Sequence, residues 1–130
     1  MNEKIPLKKD QHLILLRNKI KEFAAKSNLS NTNLTRLLTA ASELGRNILE
    51  HGGGGHVVIS EKLNSRRKKG IMLIFKDEGP GIPDLDSVMK DGYSTGKGMG
   101  LGLPGAKRLA DEFNIETNQN GGTRVSITKW

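Results

Sequence analysis

The sequence predicts an α/β two-layer sandwich, with helices on one face of a mostly antiparallel sheet. Three observations carry this. Two long segments of helical periodicity come first, between about residues 10 and 50. Two strand-like runs joined by a short basic turn follow at 56–75. A last helix and a closing hairpin fill the C-terminal third. Helices segregated from hairpin-linked strands pack best as one layer on one sheet face.

Residues 5–7 read as a short edge strand, because Pro6 has no N–H to give to a central ladder. Asp10 reads as an N-cap, followed by Leu13, Leu16, Ile20 and Phe23 at helical spacing to about 26. A second helix spans about 31–50, with Leu34, Leu37, Leu38, Ala41, Leu44, Gly45 and Ile48 on its apolar face. Four glycines at 52–55 end it. HVVISEKL at 56–63 and GIMLIF at 70–75 flank Arg66-Arg67-Lys68-Lys69, the pattern of an antiparallel hairpin. Residues 77–83 form a loop by composition, and 84–90 a short helix. A third long helix is expected at 103–113. Strands at 115–117 and 123–128, joined by a turn at 118–122, complete a single domain over 1–130.

The chain has 130 residues, no cysteine and a net charge of +7. Disulfides and thiolate metal sites are therefore excluded. Neither a membrane-length apolar run nor a signal-peptide h-region is present, so the expected setting is the cytoplasm, away from membranes. The positive charge raises nucleic acid as a partner. However, none of the five aromatic residues is interleaved with the basic clusters as a base-stacking platform requires. An anionic ligand or an acidic protein suits the sign equally well. His12 and His56 stand at ligand spacing with no pair of carboxylates, and His51 reads as a helix-end residue.

The densest chemical signal is STGKGMGLGLPGAKRL at 94–109. Glycines at 96, 98, 100, 102 and 105 precede a helix, where backbone N–H groups attract phosphates. The run is not a P-loop, since Gly92 and Gly96-Lys97 are one residue too close and Gly98 replaces the magnesium-binding hydroxyl. Gly100, Gly102 and Gly105 match the dinucleotide fingerprint literally, but polar loop precedes them instead of a strand. A plain linker would not interleave Met99, Leu101 and Leu103.

Two further clusters precede this run. Glu43 and Asn47 lie four apart, on one helix face. A carboxylate there suits a general base and an amide oxygen suits magnesium; the common alternative is an ordinary surface pair. Asp77 ends the buried strand, with Gly79 and Gly81 behind it. Its carboxylate suits an exocyclic amine, and the same residues also make good turn chemistry.

Taken in order, Glu43-x-x-Arg46-Asn47, Asp77-x-Gly79-x-Gly81 and Gly96-x-Gly98-x-Gly100-x-Gly102 resemble the N, G1 and G2 boxes of the GHKL ATP-binding family. That family includes gyrase, histidine kinases and MutL, and the implied architecture is the Bergerat ATP-binding fold. SELGRNI, DEGPGI and the LPGAKRL tail of the glycine run most resemble the RsbT-type switch kinases, relatives of the anti-sigma-factor kinases. No dimerisation helix with a phospho-accepting histidine is seen ahead of the boxes, and Glu50-His51 stand where histidine kinases often carry a basic residue.

The resemblance implies an ATP- and Mg²⁺-dependent protein serine/threonine kinase. It would phosphorylate STAS-domain proteins of a stressosome-like pathway and then engage a PP2C-type phosphatase. Asp77 would hold the adenine amino group, with Gly79, Gly81 and Thr123 beside it. Asn47 would ligate Mg²⁺, Glu43 would act as base, and Arg46 would lie with them at the nucleotide. Gly96, Lys97, Gly98, Met99, Gly100, Leu101 and Gly102 would wrap the triphosphate. Two alternatives stay open: a nucleotide-gated binding module without transfer, and a sigma-factor-binding anti-sigma protein.

Overall fold

A computed structural model describes residues 2–51, 53–77, 79, 103–117 and 122–130. The elements are β1 (Asn2–Leu7), α1 (Gln11–Ser27), α2 (Asn31–His51), β2 (Gly55–Leu63), β3 (Lys69–Asp77), α3 (Leu103–Leu109), β4 (Glu112–Thr117) and β5 (Thr123–Lys129). The strands form one sheet in the order β1-β2-β3-β5-β4, and every pairing is antiparallel. The expected sandwich is thus the observed one, with Pro6 on an edge strand.

Strand alternation builds the core. Ile5, Val57, Phe75, Val125 and Ile115 stand in one register row across all five strands. The row two residues on holds Ile59, Leu73, Ile127 and Phe113. Side chains two apart share a face, so both rows look toward the helices. Leu16, Ile20 and Phe23 of α1, Leu37, Ala41, Leu44 and Ile48 of α2, and Leu103 and Ala106 of α3 are buried against them. A Cβ on Gly45 would meet Leu13 Cδ2 at 2.6 Å, so glycine lets α1 and α2 approach closely. Arg17 ties the two helices by donating to Ser42 Oγ at 2.8 Å. Among the described residues, no helix is long and apolar enough to cross a membrane.

Two local expectations are corrected. Asp10 makes no side-chain capping bond, because its backbone is already helical (φ −58°, ψ −34°). Instead, His12 Nδ1 accepts from the N–H groups of Lys8 and Lys9, at 2.9 and 3.2 Å. The third helix stops at Leu109, and 112–117 is a strand throughout. Asp111 accounts for the break. Its N–H donates to the Thr128 carbonyl, and its carboxylate accepts from the Trp130 N–H and from Lys129 Nζ. These bonds pin the chain to β5, whose open edge then zips with β4. The helix expected at 84–90 lies outside the described residues.

Candidate functional site

The same alternation that buries Ile71, Leu73 and Phe75 puts Asp77 on the helix-facing side, at the very end of β3. Its register partner is Gly55, the first residue of β2, which is itself paired with Leu7. Asp77 therefore opens into the gap between the sheet and the helical layer. A polar side chain in that position must find partners. Asp77 Oδ1 accepts from the N–H of Gly79 and from the N–H of Thr123, each at 3.0 Å. Among the described residues, Oδ2 has no partner.

Glycine makes this corner possible at two points that sequence reasoning did not single out for it. A Cβ on Gly55 would overlap the Lys76 carbonyl oxygen and sit 2.9 Å from Asp77 Cα. Gly122 has φ +94°, and a Cβ there would press on the Asp77 carbonyl at 3.0 Å. The Gly122 N–H donates to the Gly79 carbonyl, closing the loop over the aspartate. The signal for both was glycine next to a chemical residue, visible only once the register pairs Gly55 with Asp77.

Burial pushes the Asp77 carboxyl above its ordinary value of 3.8, and the two N–H donors partly offset that. Removing the carboxylate from water disfavours its charge, whereas the donors favour it. Oδ1 is thus held by two donors and the group is partly desolvated, while among the described residues Oδ2 is left for a further donor.

Glu43, Arg46 and Asn47 lie in the C-terminal half of α2. Glu43 Oε1 accepts from Arg46 Nη1 at 3.2 Å, in an ion pair with both side chains partly exposed. Such a pair contributes little to stability, ~0.5 kcal/mol, and only biases where the carboxylate points. Asn47 is half-buried, next to buried Ile48. From Asn47 to the end of α2 is only about 6 Å of helix. The chain then turns through Gly53 and Gly54, both at positive φ, into Gly55 opposite Asp77. The Gly54 N–H donates to the Ile48 carbonyl, fastening this corner to the helix. The fold thus brings Glu43, Arg46 and Asn47 to the same end of the sheet as Asp77, Gly79 and Thr123. Gly81, Gly96, Lys97, Gly98, Met99, Gly100, Leu101 and Gly102 lie outside the described residues, as does the side chain of His51.

Comparison with known proteins places the chain in a family. Residues 5–129 match the family described as the histidine kinase-like ATPase domain. The chain is 50% identical over 95 residues to the serine/threonine-protein kinase RsbT of Bacillus subtilis, covering 73% of this chain and 71% of that one. It is 30% identical over 114 residues to an anti-sigma F factor of Bacillus licheniformis, covering 82% and 76%. A crystal structure of the RsbU and RsbW domains of a Mycobacterium tuberculosis protein superposes with a TM-score of 0.67. It shares the fold at 18% identity, over 99% of this chain and 31% of that longer one. On the family match, the RsbT identity and the shared architecture, the chain belongs to the histidine kinase-like ATPase (GHKL) family.

Proposed function

We propose that the chain is an ATP- and Mg²⁺-dependent protein serine/threonine kinase that works as a cytoplasmic partner switch. Its protein substrates would be STAS-domain proteins, and a PP2C-type phosphatase would be its second partner. The observation that carries the nucleotide half is the Asp77 corner: a carboxylate whose Oδ1 is held by the Gly79 and Thr123 N–H groups, at the end of β3 beside the helical layer. The kinase half is supported by 50% identity to a protein named as a serine/threonine kinase.

In this reading Asp77 Oδ2 accepts from the adenine exocyclic amine, while the glycines around it admit the flat base to the backbone. Asn47 offers a hard amide oxygen, which fits Mg²⁺ in a site where water and phosphate oxygens supply the other ligands. When bound, the metal neutralises charge on the phosphates. Glu43 accepts the proton of the acceptor hydroxyl as its oxygen bonds to the γ-phosphorus, and ADP departs with the electrons of the broken P–O bond. Arg46 aims the Glu43 carboxylate. Backbone N–H groups between 96 and 102, with Lys97, are assigned to the triphosphate. Phosphoryl transfer depends on such positioning and charge neutralisation more than on covalent help.

Incubation with γ-labelled ATP and candidate STAS-domain proteins tests the proposal. Label on a serine or threonine of one candidate supports it. A nucleotide-dependent complex without label favours the gated binding module instead. Capture of a sigma factor would favour the anti-sigma reading, for which the 30% identity to an anti-sigma F factor is the supporting observation.

A further inference from the structure

The end of β3 opposite Asp77 carries a concave surface. A cleft of about 380 Å³ opens between the α1–α2 connection, the β2–β3 hairpin and the chain's last residue, with Ser30, Asn33, Arg67, Lys68, Lys69 and Trp130 in its lining. It lies at the opposite end of β3 from Asp77, about 26 Å away along the strand.

Its side-chain charge is one-sided. No Asp or Glu side chain is in its lining, and among the described residues no carboxylate forms an ion pair with Arg67, Lys68 or Lys69. The acids nearby are already engaged. Glu61 accepts from Ser27 Oγ, Glu112 from the Trp130 indole N–H, and Asp111 from Lys129 and the Trp130 N–H. Three cations therefore line the opening with no ion-pair partner among the described residues.

The cations stand on a fixed frame. Asn64 Oδ1 accepts from the N–H groups of Arg66 and Lys68, both at 2.9 Å, and the Asn64 N–H donates to the Lys68 carbonyl at 3.0 Å. Arg67 is held at φ +61°, in the left-handed region. The opposite wall is equally firm: Ser30 Oγ caps α2 by accepting from the Asn33 N–H, and Asn33 Nδ2 donates to the Trp130 carbonyl. The Trp130 ring lies against Gly70, where a Cβ would meet Cε3 at 2.5 Å. A preorganised, cationic cleft with an indole wall and amide and hydroxyl groups suits carboxylate side chains on an extended polypeptide. Its volume holds a few side chains, and its lone aromatic provides no stacking track for a nucleic acid strand.

We propose that this cleft is a docking site for an acidic segment of a protein partner, separate from the nucleotide end and occupied independently of it. The proposal does not depend on the kinase reading.

Trp130 is the only tryptophan in the chain, so its fluorescence reports on the cleft directly. Titration with a ten-residue Asp/Glu-rich peptide should give a saturable change. A Lys-rich peptide of equal length should give none. The double variant Lys68→Glu, Lys69→Glu should weaken the acidic peptide about tenfold, since rim charges steer and retain a charged partner. Arg67→Gly keeps the turn comfortable at positive φ and should weaken the peptide by a smaller factor. ATP affinity should stay unchanged in both variants, and circular dichroism certifies their folding. Absence of a saturable response, or equal affinity in the variants, overturns the proposal. So does a ten-nucleotide single strand that binds as tightly as the peptide, or inorganic phosphate that displaces the peptide at equal concentration.

Discussion

The two ends of β3 solve opposite problems. At Asp77 the chain half-buries a carboxylate and holds it with backbone N–H groups, and glycine at 55 and 122 supplies the room. At Lys69 the strand leaves a hairpin whose cations stand in the open on a turn bonded by Asn64. One end is defined by backbone shape, the other by side-chain charge. The first should therefore tolerate no added volume, and the second should tolerate volume but not altered charge.

The largest effect belongs to chemistry at the Asp77 end. Glu43→Ala should slow phosphoryl transfer about 10²–10⁴-fold, the usual worth of a positioned base, with ATP affinity little changed by calorimetry. Equal losses in both would make Glu43 a binding residue and not a base.

Next comes shape. Gly55→Ala forces a Cβ onto the Lys76 carbonyl and should cost about 3 kcal/mol in denaturant unfolding. The contrasting substitution at the other end, Asn64→Ala, removes only the acceptor of two turn N–H groups and should cost about 1 kcal/mol. Similar costs at both ends would erase the comparison.

Acidity gives a subtler contrast. The Asp77 carboxyl is raised above 3.8 in the fold. Between 3.8 and that raised value the folded state keeps a proton that the unfolded chain has released. Stability of the nucleotide-free protein therefore falls as pH rises through this window, by linkage. Asp77→Asn should flatten that slope, measured by unfolding from pH 3 to 6. ATP affinity should run the other way and weaken on acidification through the same window, because adenine needs the ionised acceptor.

Much of this was legible in the chain. Alternation at 56–63 and 70–75 gave two strands within a residue or two of their bounds, and apolar spacing gave α1 and α2. Glu43 and Asn47 stood out by their spacing of four on one helix face, and Asp77 by ending a buried strand. Taken alone they read equally as a surface pair and a turn, and only their order with the glycine run carried the resemblance. The third helix was overextended because Leu103, Ala106, Leu109 and Phe113 fit a helical face, while Phe113 and Ile115 fit a strand equally well. Only the edge of β5 and the bonds to Asp111 decide between them. His12 went unread as a cap for a similar reason: its Nδ1 reaches back to two N–H groups, a geometry that spacing does not encode. The basic run read only as the link of a hairpin; that the α1–α2 connection meets it beside Trp130 is a tertiary fact.

The central claim, that Asp77 is the adenine-reading group of an ATP site, is tested most directly by titrating ATP into the wild-type chain and Asp77→Asn in a calorimeter. Losing a charge-assisted bond in a poorly solvated corner should weaken ATP about a hundredfold, with the variant still folded by circular dichroism. ATP binding of wild-type strength in the folded variant would contradict the account.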